Sequence, residues 1–147
     1  MAQGNKIDMQ QESDYFLREI KKLTLFITNL ISNLNTSNKD ELENGIRETD
    51  DFIRKKWGIS LKEIASISSF DFTNKFKELQ EIPIEKLAEL LNVFIKKSAT
   101  LEVSEQYNGK ELAKKGILLI NILNKKSKTY SIKRMELKKE LQRHLNS

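Results

Sequence analysis

His144 is the only histidine in a chain of 147 residues, and there is no cysteine. Disulfides, thiolate metal sites and cysteine nucleophiles are therefore excluded. A general base needs a positioned partner and a site that excludes water. His144 is expected in the last turn of a basic terminal helix that frays, where the helix dipole alone favours it. It reads as a surface histidine. The tightest carboxylate clusters are Asp50 with Asp51, and Glu41 with Glu43. Neighbouring positions on a helix point about 100° apart, so Asp50 and Asp51 do not converge on one ion. Asp50 with Arg54, Asp51 with Lys55 and Glu43 with Arg47 stand four residues apart, the spacing of exposed helical ion pairs. No Glu-x-x-His or His-Glu-x-x-His pair and no EF-hand spacing occurs. The five glycines, at 4, 45, 58, 109 and 116, are too scattered for a phosphate-binding loop. No catalytic, metal-ligating or cofactor-binding residue is assigned, and no cofactor is expected.

Charge is the next feature able to select a partner. Residues 1–95 carry a net −3 and residues 96–147 a net +8. The basic set is Lys110, Lys114, Lys115, Lys125, Lys126, Lys128, Lys133, Arg134, Lys138, Lys139 and Arg143. Such a set could face phosphates, with Tyr107 and Tyr130 available for stacking. Lysine outnumbers arginine, and no recognition-helix signature accompanies it. Tyr15, Arg18 and Trp57 could rim a groove for a peptide; alternatively Trp57 packs at the end of its own helix against the short helix that follows.

These side chains must be positioned by helices. One proline and five glycines in a Leu-, Ile-, Lys-, Glu- and Asn-rich chain leave few breakers. Phe16, Ile20, Leu23, Ile27, Leu30 and Leu34 alternate in steps of four and three, which predicts a first helix over residues 13–34. A stripe this regular must be covered, within the chain or by a second copy. Asn38 or Ser37 opens a second helix that Gly58 ends in the left-handed conformation. Ser60 and Glu63 form a capping box for a short third helix, and Ser69 or Asp71 caps a fourth. Pro83 sits at the first turn of a fifth helix, apolar over most of its circumference and expected at the centre of the core. Asn108-Gly109 delays or kinks the sixth, in which Ala113 and Gly116 admit a close neighbour. Ser131 caps the seventh. The expected fold is all-α, about seven helices in an antiparallel array or an irregular bundle.

Residues 13–147 are expected to form a single domain, preceded by a flexible leader over residues 1–12. No apolar run approaches the roughly 20 residues that span a bilayer, and the leader lacks an apolar signal core. The expected location is the cytoplasm, away from membranes.

The helices over residues 83–99, 108–127 and 131–145 set the small residues Ala88, Ala113 and Gly116 among large apolar ones. In this they resemble tetratricopeptide-like helix pairs, although that repeat's Trp-Leu-Gly-Tyr signature is absent from the required period. The stretch from Asp14-Tyr15-Phe16-Leu17-Arg18-Glu19-Ile20 to Leu30-Ile31 is similar to the start of small, uncharacterised helical bacterial proteins. That resemblance implies a right-handed superhelical array and a bacterial origin, and it carries no activity with it. Three functions follow in order. The first is a non-catalytic adaptor for a protein or peptide, able to form a homodimer through its helical faces. The second is a nucleic-acid-binding accessory protein using the basic helices. The third is an enzyme of unfamiliar type.

Overall fold

The computed structural model describes residues 2–102 and 104–146, with side chains for 11–102 and 106–146. Among the described residues there are eight helices and no strand. They are α1 (Ala2–Thr36), α2 (Lys39–Trp57), α3 (Leu61–Ser66), α4 (Ser69–Phe76), α5 (Glu81–Thr100), α6 (Ser104–Tyr107), α7 (Gly109–Lys126) and α8 (Ile132–Leu145). The protein is an all-α helical array.

Helix boundaries follow local chemistry. Asn38 accepts a hydrogen bond from the Glu41 amide at 2.9 Å and opens α2. Gly58 closes it at φ 69°, with its N–H donating to the Arg54 carbonyl. The Ser60–Glu63 capping box forms on α3. Asp50 supports the same helix from outside, its carboxylate accepting the Leu61 amide at 2.8 Å. The cap of α4 is Ser68, one residue before the expected Ser69, and its hydroxyl accepts the Asp71 amide. Asn108, at φ 54° and ψ 68°, separates α6 from α7, so the expected sixth helix is two. The asparagine side chain, which tolerates the left-handed region, then accepts from the Glu111 amide and serves as the new N-cap.

Helix α5 is the centre of the core. Ile84, Leu87, Ala88, Leu90, Leu91, Val93, Phe94 and Ile95 are all buried on it, so nearly its whole circumference is covered. It packs most extensively against α7 and α1, and α7 in turn against α8. Gly116 permits the last of these approaches. A Cβ there would stand 2.8 Å from Leu141 Cδ2, inside van der Waals contact.

The first helix differs from expectation at its start. It begins at Ala2, so the segment expected as a leader is helical from that residue on. Gln, Lys, Met and Glu there are good helix formers, and Gly4 is too weak a breaker alone. Burial on α1 begins at Ile27 and continues through Leu30, Ile31 and Leu34. Ile20, Leu23 and Thr24 are partly covered, Leu23 against the core, and residues 11–18 are exposed.

Candidate interaction surface

The basic residues do not assemble as one free surface. Lys115 is only 3% exposed, and its ammonium reaches the Ala65 carbonyl at 3.4 Å, near the C-terminus of α3. Burial lowers its pKa; Glu111 pulls it back up and Lys114 pushes it down. Arg134 is also buried. Its guanidinium holds the α7–α8 turn, donating to Asn124 Oδ1, Ser127 Oγ and the Thr129 carbonyl. Lys126 donates to the Leu79 carbonyl and Lys138 to Asn121 Oδ1. Lys114 pairs with Glu111 at 2.9 Å, and Lys133 stands 3.9 Å from Glu89. Lys110, Lys125, Lys128, Lys139 and Arg143 remain exposed, spread over α7, the turn after it and α8. Counting charges could not separate these groups, because a long cationic side chain can bury its stem and spend its head on a carbonyl. Tyr107 packs edge-on against Phe94 at 5.1 Å and takes Lys62 over its ring, while Tyr130 is exposed.

A polar cleft of about 570 Å³ lies between α5 and α8. At its base Asn92, 3% exposed, donates through Nδ2 to Glu140 Oε2 at 2.8 Å. Its Oδ1 lies 2.9 Å from His144 Nε2. Because the amide nitrogen is committed to Glu140, the oxygen is the acceptor and the imidazole Nε2–H donates. Lys96 donates to the other Glu140 oxygen at 3.1 Å. Burial works to raise the Glu140 pKa, but the Lys96 bond and charge, the Asn92 bond and the Arg143 charge outweigh it and leave it lowered. The His144 pKa is lowered by burial and by Lys96, against the opposing pull of Glu140. The expectation of a surface histidine on a fraying end is thereby corrected. The terminal helix holds to Leu145, which packs against the core, and His144 is half-buried and hydrogen-bonded. The sequence signal was available in His144, Leu141 and Leu137, spaced three and four apart on one face. Chemically this network is a tie between two helices: both Glu140 oxygens and both Asn92 amide atoms are engaged within it. Among the described residues, no group of three or more His, Asp or Glu side chains is placed to hold a metal ion.

The third feature is apolar. On α1, Tyr15, Phe16, Leu17, Leu25 and Phe26 are half to two-thirds exposed, while Ile20 and Leu23 are partly covered. Phe16, Ile20 and Leu23 continue the stripe that is buried from Ile27 onward, with Phe26 at its edge; Tyr15 and Leu17 lie to either side of it and Leu25 on the opposite face. Phe26 stacks on Phe52 of α2 at 4.6 Å, and an apolar groove of about 440 Å³ opens beside them along Leu30. Glu48, Asp51, Lys55 and Lys56 form the charged edge of this groove. The aromatic chain continues inward from Phe52 to Trp57 at 5.9 Å, to Phe76 at 5.5 Å and to Phe72 at 4.7 Å. Trp57 thus packs between Phe52 of α2 and Phe76 of α4, and it is not among the residues that line the groove beside Phe26. Tyr15 and Arg18 are exposed two to three turns before Phe26, so these three candidates are not brought together.

No protein-family model matches the chain. No curated protein is significantly similar to it, and no solved structure is either. Among the described residues, no helix is long and apolar enough to cross a membrane.

Proposed function

We propose that the protein is a non-catalytic interaction module, a small bacterial adaptor of tetratricopeptide-like character acting in the cytoplasm. One observation carries this reading: the apolar stripe of α1 continues past its buried part and leaves Phe16, and Phe26 at its edge, about half exposed. Phe16 and Phe26, each about half exposed, offer on the order of 100 Å² of apolar surface apiece, taking about 150–250 Å² for each aromatic ring. Half-exposed aromatic rings beside an apolar groove support a binding role for this part of α1. The basic residues support a nucleic-acid reading less, since Lys115 and Arg134 are interior ties and Lys126 and Lys138 are bonded within the chain.

The test is capture from the native cell on immobilised protein, with wild type and Phe16→Glu compared side by side. A partner retained by the wild type and lost with Phe16→Glu is the expected result. Capture indifferent to Phe16, with binding instead tracking Lys125 and Lys128, would move the function to the basic helices.

A further inference from the structure

We infer that the tip of the α7–α8 hairpin docks on an anionic lipid surface, with Tyr130 and Ile132 seated among the headgroups and Lys125, Lys126 and Lys128 set against their phosphates. This goes beyond the reading of α1 as an interaction surface and does not depend on it.

Placement is the first argument. Helices α7 and α8 run antiparallel: Gly116 meets Leu141, Asn121 accepts from Lys138, and Asn124 accepts from Arg134. Residues 127–131 are therefore the tip of a helical hairpin. The tip is braced from within. Arg134 ties Asn124, Ser127 and Thr129 together, and Lys126 reaches the Leu79 carbonyl just before α5. A braced turn presents its outward side chains with little ordering left to lose on binding. Those side chains are apolar: Tyr130 is 76% exposed and Ile132 64%. Met135 stands one turn after Ile132, and its sulfur accepts from the Tyr130 hydroxyl at 3.0 Å, so the three lie together. Arg134, Leu137 and Leu141 are buried on the opposite side of α8, about 140–200° around the helix from Ile132.

Charge is the second argument. No acidic residue lies between Glu111 and Glu136. Lys125, Lys126, Lys128 and Lys133 in this stretch are exposed. Lys133 stands near Glu89, but among the described residues no ion pair engages Lys125, Lys126 or Lys128. Lys126 spends one N–H on Leu79 and keeps the others. Such a tip is drawn to a negatively charged surface, with each lysine near it worth about five-fold in affinity.

Phosphate is carried by nucleic acids as well as by lipids, and the apolar groups decide between them. Ile132 and Met135 have no ring to stack on a base. The boundary between headgroups and acyl chains takes aliphatic side chains, with tyrosine at headgroup level. The free cations of the tip are lysines, point charges that suit a diffuse lipid surface and lack the planar fork with which arginine grips single phosphates. Contact of this kind reaches about 5–10 Å into the boundary. It needs no helix able to cross a bilayer, and none is found among the described residues.

Sedimentation with vesicles provides the test. The chain should bind vesicles of equal parts phosphatidylcholine and phosphatidylglycerol at low salt, bind phosphatidylcholine alone far more weakly, and be released as salt rises. Lys125→Gln with Lys128→Gln should weaken binding about 25-fold. Tyr130→Ser with Ile132→Ser should weaken it at least about 10-fold at unchanged charge. All four positions are exposed, and circular dichroism checks that the helices remain. Lys110→Gln removes a charge about 24 Å away along α7, and at moderate salt it should change binding less than about two-fold. A loss from Lys110→Gln equal to that from Lys125→Gln would show net charge alone at work and overturn the tip as the contact. Binding that ignores Tyr130 and Ile132 would overturn it equally. Failure to bind the anionic vesicles at low salt would overturn lipid docking outright, and a single-stranded oligonucleotide held by the same lysines in that case would assign the tip to nucleic acid.

Discussion

Replacing Asn92 by alanine breaks the tie between α5 and α8 at its centre. The bond to Glu140 is charge-assisted and contributes about 1.5–3 kcal/mol, while the bond to His144 contributes about 0.5–1.5 kcal/mol. Glu140 and His144 are only partly buried, so both can take up water once Asn92 is gone. That places the loss toward the lower end of each range, about 2 kcal/mol together. Alanine is a better helix former than asparagine and returns about 0.5 kcal/mol. The void left at a position 3% exposed costs a similar amount, so the net is about 2 kcal/mol. In a chain of this length a loss of 1 kcal/mol lowers Tm by about 4 °C, which predicts a fall of about 8 °C. Urea denaturation at neutral pH and a thermal scan measure both quantities. An equilibrium loss below about 0.5 kcal/mol would show that water replaces these bonds at no cost, and the reasoning would fail.

The proton affinity of His144 gives a second prediction, and as the sole histidine its imidazole resonance is read without overlap. Its pKa in the folded protein should lie below the ordinary 6.5 because of burial and Lys96; Lys96→Met should raise it, and Glu140→Gln should lower it further. The unfolded chain then takes up the proton first on acidification. Stability is therefore full above about pH 6.5 and declines as pH drops through the folded value, and His144→Gln should flatten that part of the profile. Gly116→Val should cost about 1–3 kcal/mol in denaturant melts by driving a side chain into Leu141, and Leu141→Ala in the same chain should recover part of it. Arg134→Ala should cost about 2–4 kcal/mol by releasing the α7–α8 turn, with Arg134→Lys intermediate because one ammonium cannot reach Asn124, Ser127 and Thr129 together.

Features set by local chemistry were legible in the amino-acid order. The capping box at Ser60, the left-handed Gly58 and the apolar helix after Pro83 each depend on residues a few positions apart, and each is found where expected. The need of the α1 stripe for a cover was also legible, because periodicity survives in any fold. What escaped depends on contacts across long stretches of chain. Lys115 meets Ala65 fifty residues away, and His144 meets Asn92 at a separation of fifty-two. Nothing local marks either as interior. The inward position of Arg134 follows from the turn it closes, which exists only once α7 and α8 pack. The start of α1 was misplaced for the opposite reason: Ser13 and Asp14 are good caps, but nothing before them obliges the helix to stop.

The stack that begins at Phe26 also works as an optical sensor. The chain's single indole lies two rings away from the exposed end of α1, touching Phe52, which touches Phe26. A molecule seated on that face should shift Phe26, and the disturbance should pass through one intervening phenyl group to the fluorophore. Emission from Trp57 should therefore report occupancy with no dye attached, and Phe52→Leu, which removes the ring between Phe26 and the indole, should weaken the signal.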